Sequence, residues 1–393
     1  MAASNKPSLS VREKLRLAIR LLTIIPLFFV VYTVRSGFFA LRNGLPLRPH
    51  MGCAVGRILL RRFSAREAQY VMPTTAQAYE AWTRRKVSRA ESGADRERLK
   101  TRVQPLDSAD AVIMWIGDRE RASKLVLFLH GGGYKTPAFK AQIEWCWNSF
   151  VQAGAEAGVE VAVGLLDYSL APEARFPVQL RQAVAALGAL LEAGVRPADI
   201  FLGGDSAGAN LTVQLLGHLL HPHPDVRQIA LGEPLAGAFV VSPWVSCNKN
   251  RKSYGDHGWH DMLARDVIVF VAEEYFGGPR QLDEVLAGGN PWAFPLDADG
   301  AGTWFQGADG LVSSFLVTFG RAECFADESR ELATLFRSSH PTWDLRVDEA
   351  DGEAHVFALA EHFVGEIGVA TRRIKHWFSF VITAKPMPGD ATR

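Results

Sequence analysis

The sequence predicts an α/β protein in which a mostly parallel sheet is covered by helices on both faces. Three observations predict it. From about residue 105 onward, short β-rich apolar runs alternate with stretches of helical apolar spacing. Hydrophobic residues make up 48% of the 393 and charged residues 22%, which supplies a large core. Two apolar runs also lead directly into glycine-rich loops, His130-Gly131-Gly132-Gly133-Tyr134 and Gly204-Asp205-Ser206-Ala207-Gly208.

The expected strands are Ala111 to Ile116, Lys124 to Leu129, Val159 to Leu166, Ile200 to Gly203, Ala236 to Ser242, Ser314 to Phe319 and Leu345 to Val347. Helical spacing occupies Val178 to Leu191 and Ala209 to Leu220. The stretch from Cys247 to Pro295 breaks the strand rhythm with helical and Gly- or Pro-punctuated pieces, as an insertion over a sheet edge would. Three segments result: an N-terminal apolar segment (1–45), a charged, helix-compatible connector and cap region (46–104), and a catalytic domain (105–385) with an insertion at about 247–295.

Forty-three Lys and Arg balance 42 Asp and Glu, so the chain projects no long-range field for nucleic acid. Cys53, Cys146, Cys247 and Cys324 form no CxxC pair. His221 with His223 and His257 with His260 lack a third ligand nearby in sequence, so neither a metal nor a cofactor is expected.

Leu21 to Val34 is 14 uncharged residues with basic residues on both flanks, and it reads as membrane-directed. It is shorter than the roughly 20 residues of an upright span, and Pro26 weakens a straight helix through its middle. No A-x-A-like cleavage site follows, which favours an uncleaved anchor over a signal peptide; a buried core helix is the alternative. Seven Arg and no acid lie between Arg35 and Arg66, so a helix lying in the headgroup region fits as well as a span.

Gly204-Asp205-Ser206-Ala207-Gly208 matches G-x-S-x-G, in which a nucleophilic serine sits on a sharp turn between strand and helix. Gly204 and Gly208 relieve crowding around that turn. His130-Gly131-Gly132-Gly133 brings backbone N–H groups near a developing oxyanion, and the N–H of Ala207 adds another. A phosphate-cradling loop is the competing reading, but no G-K-[ST] follows.

A serine hydroxyl needs a base, and the base needs an orienting carboxylate. In α/β-hydrolases the order is Ser, acid, His. Of the late histidines, His355 lies in a Gly-containing loop after a strand, whereas His340 sits in a turn before Pro341, and His362 and His376 read as solvated helix residues. Glu323, three residues past the end of a strand at Gly320, is preferred as the acid to Asp327, whose position suits a helix N-cap.

With these motifs in order, the chain resembles the hormone-sensitive-lipase family of α/β-hydrolases, which includes membrane-anchored arylacetamide and steryl deacetylases. Asp167-Tyr168-Ser169-Leu170-Ala171-Pro172-Glu173 is similar to that family's Y-R-L-A-P-E segment, and Ser242-Pro243-Trp244 to its S-P-W. The resemblance covers about residues 105 to 380.

It implies a triad of Ser206, Glu323 and His355, oxyanion donors from Gly132, Gly133 and Ala207 with Gly131 shaping the turn, and lid pieces near 50–100 and 247–295. It also implies a hydrophobic ester substrate and a membrane location, at the endoplasmic reticulum. Glu323-Cys324-Phe325 replaces the usual D-P-L, as in a fungal-type variant. Ser169 replaces an Arg and Gln182 an Asp, which predicts the loss of a supporting polar contact. A long-chain acylglycerol lipase and a non-enzymatic small-molecule receptor remain the alternatives.

Overall fold

The computed structural model describes residues 6–90, 92–106 and 109–383. Residues 1–5 of the expected N-terminal segment and 384–385 of the expected catalytic domain lie outside them. Among the described residues, eight strands form one sheet in the order β1-β2-β4-β3-β5-β6-β7-β8. These are β1 (Arg102–Leu106), β2 (Ala111–Ile116), β3 (Lys124–Leu129), β4 (Val161–Asp167), β5 (Ile200–Asp205), β6 (Leu235–Val241), β7 (Val312–Gly320) and β8 (Asp344–Ala350). β1 and β2 join antiparallel at one edge, and β4 through β8 run parallel.

Each expected strand run overlaps one of these strands, those at β4 and β6 reaching two residues before and one residue past the strand. β1 was not expected, because Arg102, Gln104 and Pro105 give it no apolar face; an edge strand needs none and tolerates the proline. β3 and β5 are apolar without alternation because both of their faces are covered.

The helices are α1 (Val11–Leu22), α2 (Ile24–Arg42), α3 (Leu47–Arg62), α4 (Ala65–Val71), α5 (Thr75–Val87), α6 (Gly93–Arg98), α7 (Lys140–Cys146), α8 (Gln152–Glu156), α9 (Val178–Glu192) and α10 (Ala207–Leu220). They continue with α11 (Lys252–His257), α12 (Arg265–Phe276), α13 (Pro279–Ala287), α14 (Ala301–Trp304), α15 (Ala326–Ser339), α16 (Phe357–Phe363) and α17 (Val369–Thr383). α17 sets Trp377 and Phe378 against Phe201 of β5, while α10 brings Gly208 against Gly204 on the opposite face of that strand. The sheet is therefore the middle of three layers.

At the N-terminus, Ser10 and Glu13 form a reciprocal cap on α1. Thr23 separates α1 from α2. Pro26 lies in the first turn of α2, where its missing N–H forfeits no helical bond, so the expected weakening in mid-helix does not occur. At 19 residues α2 is long and apolar enough to cross a membrane, yet its Tyr32, Ser36, Gly37 and Ala40 are buried in the protein. A second, smaller core gathers Leu9, Leu17, Tyr32, Ala54, Ile58, Phe63 and Ala68 from α1 to α4 and the segments beside them.

α3 packs against α12 above the C-terminal ends of the parallel strands. Arg61 pairs with Asp266 at 2.6 Å, and Glu274 accepts from the Ala65 N–H at 2.7 Å while pairing with the buried Lys135 ammonium at 2.5 Å. Burial alone would push the Lys135 ammonium toward its neutral form, and Glu274 opposes that shift.

The supporting contact expected to be missing is replaced. Gln182 Oε1 accepts from the Ser169 N–H at 2.8 Å, and Gln182 Nε2 donates to Ser169 Oγ at 2.7 Å and to the carbonyls of Ala109 and Asp110 at 3.0 and 3.1 Å. An uncharged amide serves because it both donates and accepts within the pocket. Gln182→Ala would leave these half-buried groups without their partner, and an unpaired polar group that water reaches only in part costs about 1 kcal/mol. Chemical denaturation should therefore show a loss of that size; an unchanged unfolding midpoint would contradict it.

Candidate active site

The C-terminal ends of β3, β5, β6, β7 and β8 share one edge, and the loop after each of them carries a residue of the site. Ser206 stands between β5 and α10 with φ +54° and ψ −117°. A side chain at Gly204 or Gly208 would collide with the Leu129 carbonyl, so the tight turn requires glycine at both positions. The Ser206 N–H donates to the Val241 carbonyl at 2.8 Å, which ties the turn to β6. Ser206 Oγ lies 2.9 Å from His355 Nε2.

Glu323 is fully buried. Its Oε2 accepts from Ser242 Oγ at 2.7 Å and from the Gly320 N–H at 2.9 Å. Oε1 is left facing His355 Nδ1 at 3.6 Å, and among the described residues neither atom has another partner. Such a gap commonly tightens to a hydrogen bond when substrate binds. Ser242 also accepts from the Val356 N–H at 3.0 Å, so one hydroxyl joins the loops that carry Glu323 and His355.

Asp327 lies elsewhere. Phe325, not Asp327, caps α15, and Asp327 sits in the first turn, accepting from the Ser253 N–H at 2.8 Å and pairing with Arg330 at 3.0 Å. His362 is not on a solvated face as expected: it is buried, with Nδ1 donating to the Ala358 carbonyl at 2.8 Å and Nε2 3.1 Å from Asn148. His340 is buried against the Gly307 N–H, and His376 is exposed.

Gly132 and Gly133 adopt φ +118° and +62°, and a side chain at either would strike Thr136 or Val271. Among the described residues their N–H groups and that of Ala207 are bonded to no backbone carbonyl, which leaves them available to an anion. Asp205 fastens this loop to the Ser206 turn: Oδ1 accepts from the Gly131 N–H at 2.9 Å, and Gln142 Nε2 lies 3.0 Å from both carboxyl oxygens. Burial pushes the Asp205 carboxyl up to about 6.

His130 is a support rather than an acid or base. Its ring stacks on Tyr168, burial pushes its pKa down to about 4, and the neutral ring donates from Nδ1 to the Gly131 carbonyl at 2.8 Å. Positive φ outside glycine occurs among the described residues at Tyr134, Ser206, Ser242 and Val356, all in this site, and at Asp110.

One contributor left no signal in the sequence. Asp261, buried in the insertion, accepts from the His355 N–H on Oδ1 at 3.0 Å and from the Cys324 N–H on Oδ2 at 2.9 Å. One carboxylate thus holds the backbones of both the His355 loop and the Glu323 loop. Its neighbour His260 stacks on Phe39 of α2 at 3.6 Å, and the His260 carbonyl accepts from Ser36 Oγ at 2.7 Å.

Comparison with known proteins agrees with the fold. The model of the alpha/beta hydrolase fold family matches residues 126–359, more than half of the chain. The chain belongs to that family, and within it to the hormone-sensitive-lipase type. An acetyl-hydrolase of Streptomyces hygroscopicus is 29% identical over 222 residues, 56% of this chain and 63% of that protein. An arylacetamide deacetylase of Oryctolagus cuniculus is 26% identical over 174 residues, 41% of this chain and 40% of that one. The chain therefore spans less than two thirds of the length of these curated relatives. A crystal structure of an esterase from the bacterial hormone-sensitive lipase family superposes with a TM-score of 0.56 at 25% identity, covering 84% of this chain and 97% of that one.

Asp261→Ala would strand three buried N–H donors, those of His355, Cys324 and Met262, at about 1–3 kcal/mol each. Urea titration should show a stability loss of at least about 2 kcal/mol, and Asp261→Asn, which keeps one acceptor oxygen, should lose less. Equal stability of Asp261→Ala and the unaltered chain would remove Asp261 from this role.

Proposed function

We propose that the protein is a serine carboxylic ester hydrolase that acts on a hydrophobic ester through an acyl-enzyme on Ser206. The observation that carries this reading is the 2.9 Å approach of Ser206 Oγ to His355 Nε2, beside a glycine loop whose N–H groups are available. Ser206 Oγ attacks the ester carbonyl and its proton passes to His355 Nε2. The oxyanion is held by the N–H groups of Gly132, Gly133 and Ala207.

As the intermediate collapses, His355 returns the proton to the departing alkoxide, and the alcohol leaves. Water then attacks the acyl-enzyme, giving its proton to His355, and the collapse restores Ser206 and releases the acid. Glu323 keeps Nδ1 protonated and stabilises the imidazolium. The buried pocket for the Glu323 carboxylate and its two donors supports Glu323 over Asp327 as the acid.

A small acyl group is the preferred leaving acid, since the similar proteins include an acetyl-hydrolase and an arylacetamide deacetylase. The substrate class implied by the resemblance is an acetylated, sterol- or arylacetamide-like ester, reached beside a membrane through α2, with the endoplasmic reticulum as the site. A long-chain acylglycerol lipase is the second reading, and a small-molecule receptor the third, against which the retained His355 argues.

An ester panel tests the reading. Acetyl esters should be cleaved faster than long-chain ones, and Ser206→Ala should lower turnover by at least about a thousandfold. Equal turnover by the two proteins would reject the mechanism, and faster cleavage of long chains would favour the lipase. Glu323→Gln should lower kcat about 10³–10⁴-fold with folding intact, while Asp327→Asn should leave kcat within about twofold; the opposite ranking would reassign the acid.

A further inference from the structure

Helix α2 has the length and hydropathy of a membrane span, but the chain on either side of it is bonded together. Before α2, Arg20 pairs with Glu67 at 2.8 Å, the Ser8 carbonyl accepts from Arg66 at 2.6 Å, and Lys6 donates to the Tyr70 carbonyl at 3.3 Å. Leu9 and Leu17 share a core with Phe63 and Ala68. Residues 6–20 and 62–70 thus touch, whereas a span would hold them apart by a hydrocarbon core about 30 Å thick. α2 is also fastened sideways to the catalytic body, through Ser36 Oγ on the His260 carbonyl and Tyr32 Oη, which accepts from Arg62 at 2.9 Å.

The remaining faces of α1 and α2 are apolar and uncovered. On α2, Leu27, Val30, Val34, Phe38 and Leu41 recur at helical spacing and are 55–70% exposed. On α1, Val11, Leu15, Ile19 and Leu22 share an exposed face away from buried Leu17, with the exposed Arg12, Lys14 and Arg16 beside them. Trp259, 40% exposed, extends the patch from Phe38 onto the catalytic body. Residues 6–66 carry twelve Lys and Arg and a single acid, Glu13, which is spent on the α1 cap; Arg20, Arg48 and Arg61 are matched by acids elsewhere and Arg57 is buried, while Arg12, Lys14, Arg16, Arg35 and Arg42 are exposed and form no ion pair among the described residues.

From this we infer that α1 and α2 lie in the plane of an anionic membrane surface, with the apolar stripes in the acyl boundary and the basic residues on the headgroups, and that α2 does not cross. The protein is monotopic, and its N-terminus and catalytic domain are on the same side. The inference rests on the proposed membrane association and fixes its geometry. α2 belongs to the surface of the enzyme that faces lipid.

The test uses the purified full chain and sealed vesicles of phosphatidylcholine with and without phosphatidylserine. Sedimentation should show binding that strengthens with phosphatidylserine, weakens with salt, and falls at least about tenfold in a Leu27→Asp, Val34→Asp, Phe38→Asp variant. That variant should still hydrolyse a soluble activated ester, which shows that it folds. With epitope tags at both ends of the chain, external protease should remove both tags from membrane-bound protein. Protection of one tag would mean that α2 spans and would overturn the inference while leaving membrane association intact. Failure of the unaltered chain to bind either vesicle would overturn both, and ester hydrolysis would still be judged separately by the Ser206→Ala comparison.

Discussion

The site depends on the close approach of α10 to the sheet. Gly204 and Gly208 let the helix start directly against the Leu129 carbonyl of β3, and this forces Ser206 into a backbone conformation that side chains rarely adopt. Everything else is placed relative to that turn. The Gly131 to Gly133 loop leaves the strand whose last carbonyl the turn packs on, and β6 receives the Ser206 N–H. Strain at one residue is held by the packing of three strands and a helix.

Buried carboxylates then join loops that the sheet alone would leave independent. Asp205 binds the glycine loop to the Ser206 turn, Glu323 binds its own strand end to Ser242, and Asp261 binds the Glu323 loop to the His355 loop. In each case the partners include backbone N–H groups or hydroxyls that would be costly to bury unpaired. The same three groups keep the loops from shifting independently, as a site that needs donors and base in fixed relation requires.

What the sequence made legible was local. G-x-S-x-G and H-G-G-G constrain neighbouring residues through glycine, and the strands around them are continuous apolar runs, so the fold, Ser206 and the glycine loop could be read from composition and order. Glu323 and His355 followed from chain order and loop position. Asp261 could not be read this way, because the two loops it joins lie 63 and 94 residues away and nothing around it in sequence marks a carboxylate that gathers backbone donors. Gln182 misled for a related reason: a family pattern suggested that a supporting polar contact had been lost, whereas the Gln182 amide bonds Ser169 through both its oxygen and its nitrogen. β1 and the burial of His362 depend on neighbours from distant segments and had no periodicity to reveal them.

The stack of Phe39 on His260 has a practical consequence. α2 packs beside the site, and the residue it covers is next to the carboxylate that fastens the Glu323 and His355 loops. Removing the apolar N-terminus to obtain a soluble enzyme would trade a greasy exterior for an opened interior, baring an imidazole that burial keeps uncharged. A better-behaved protein for crystallisation would keep α2 whole and repaint only its outward stripe.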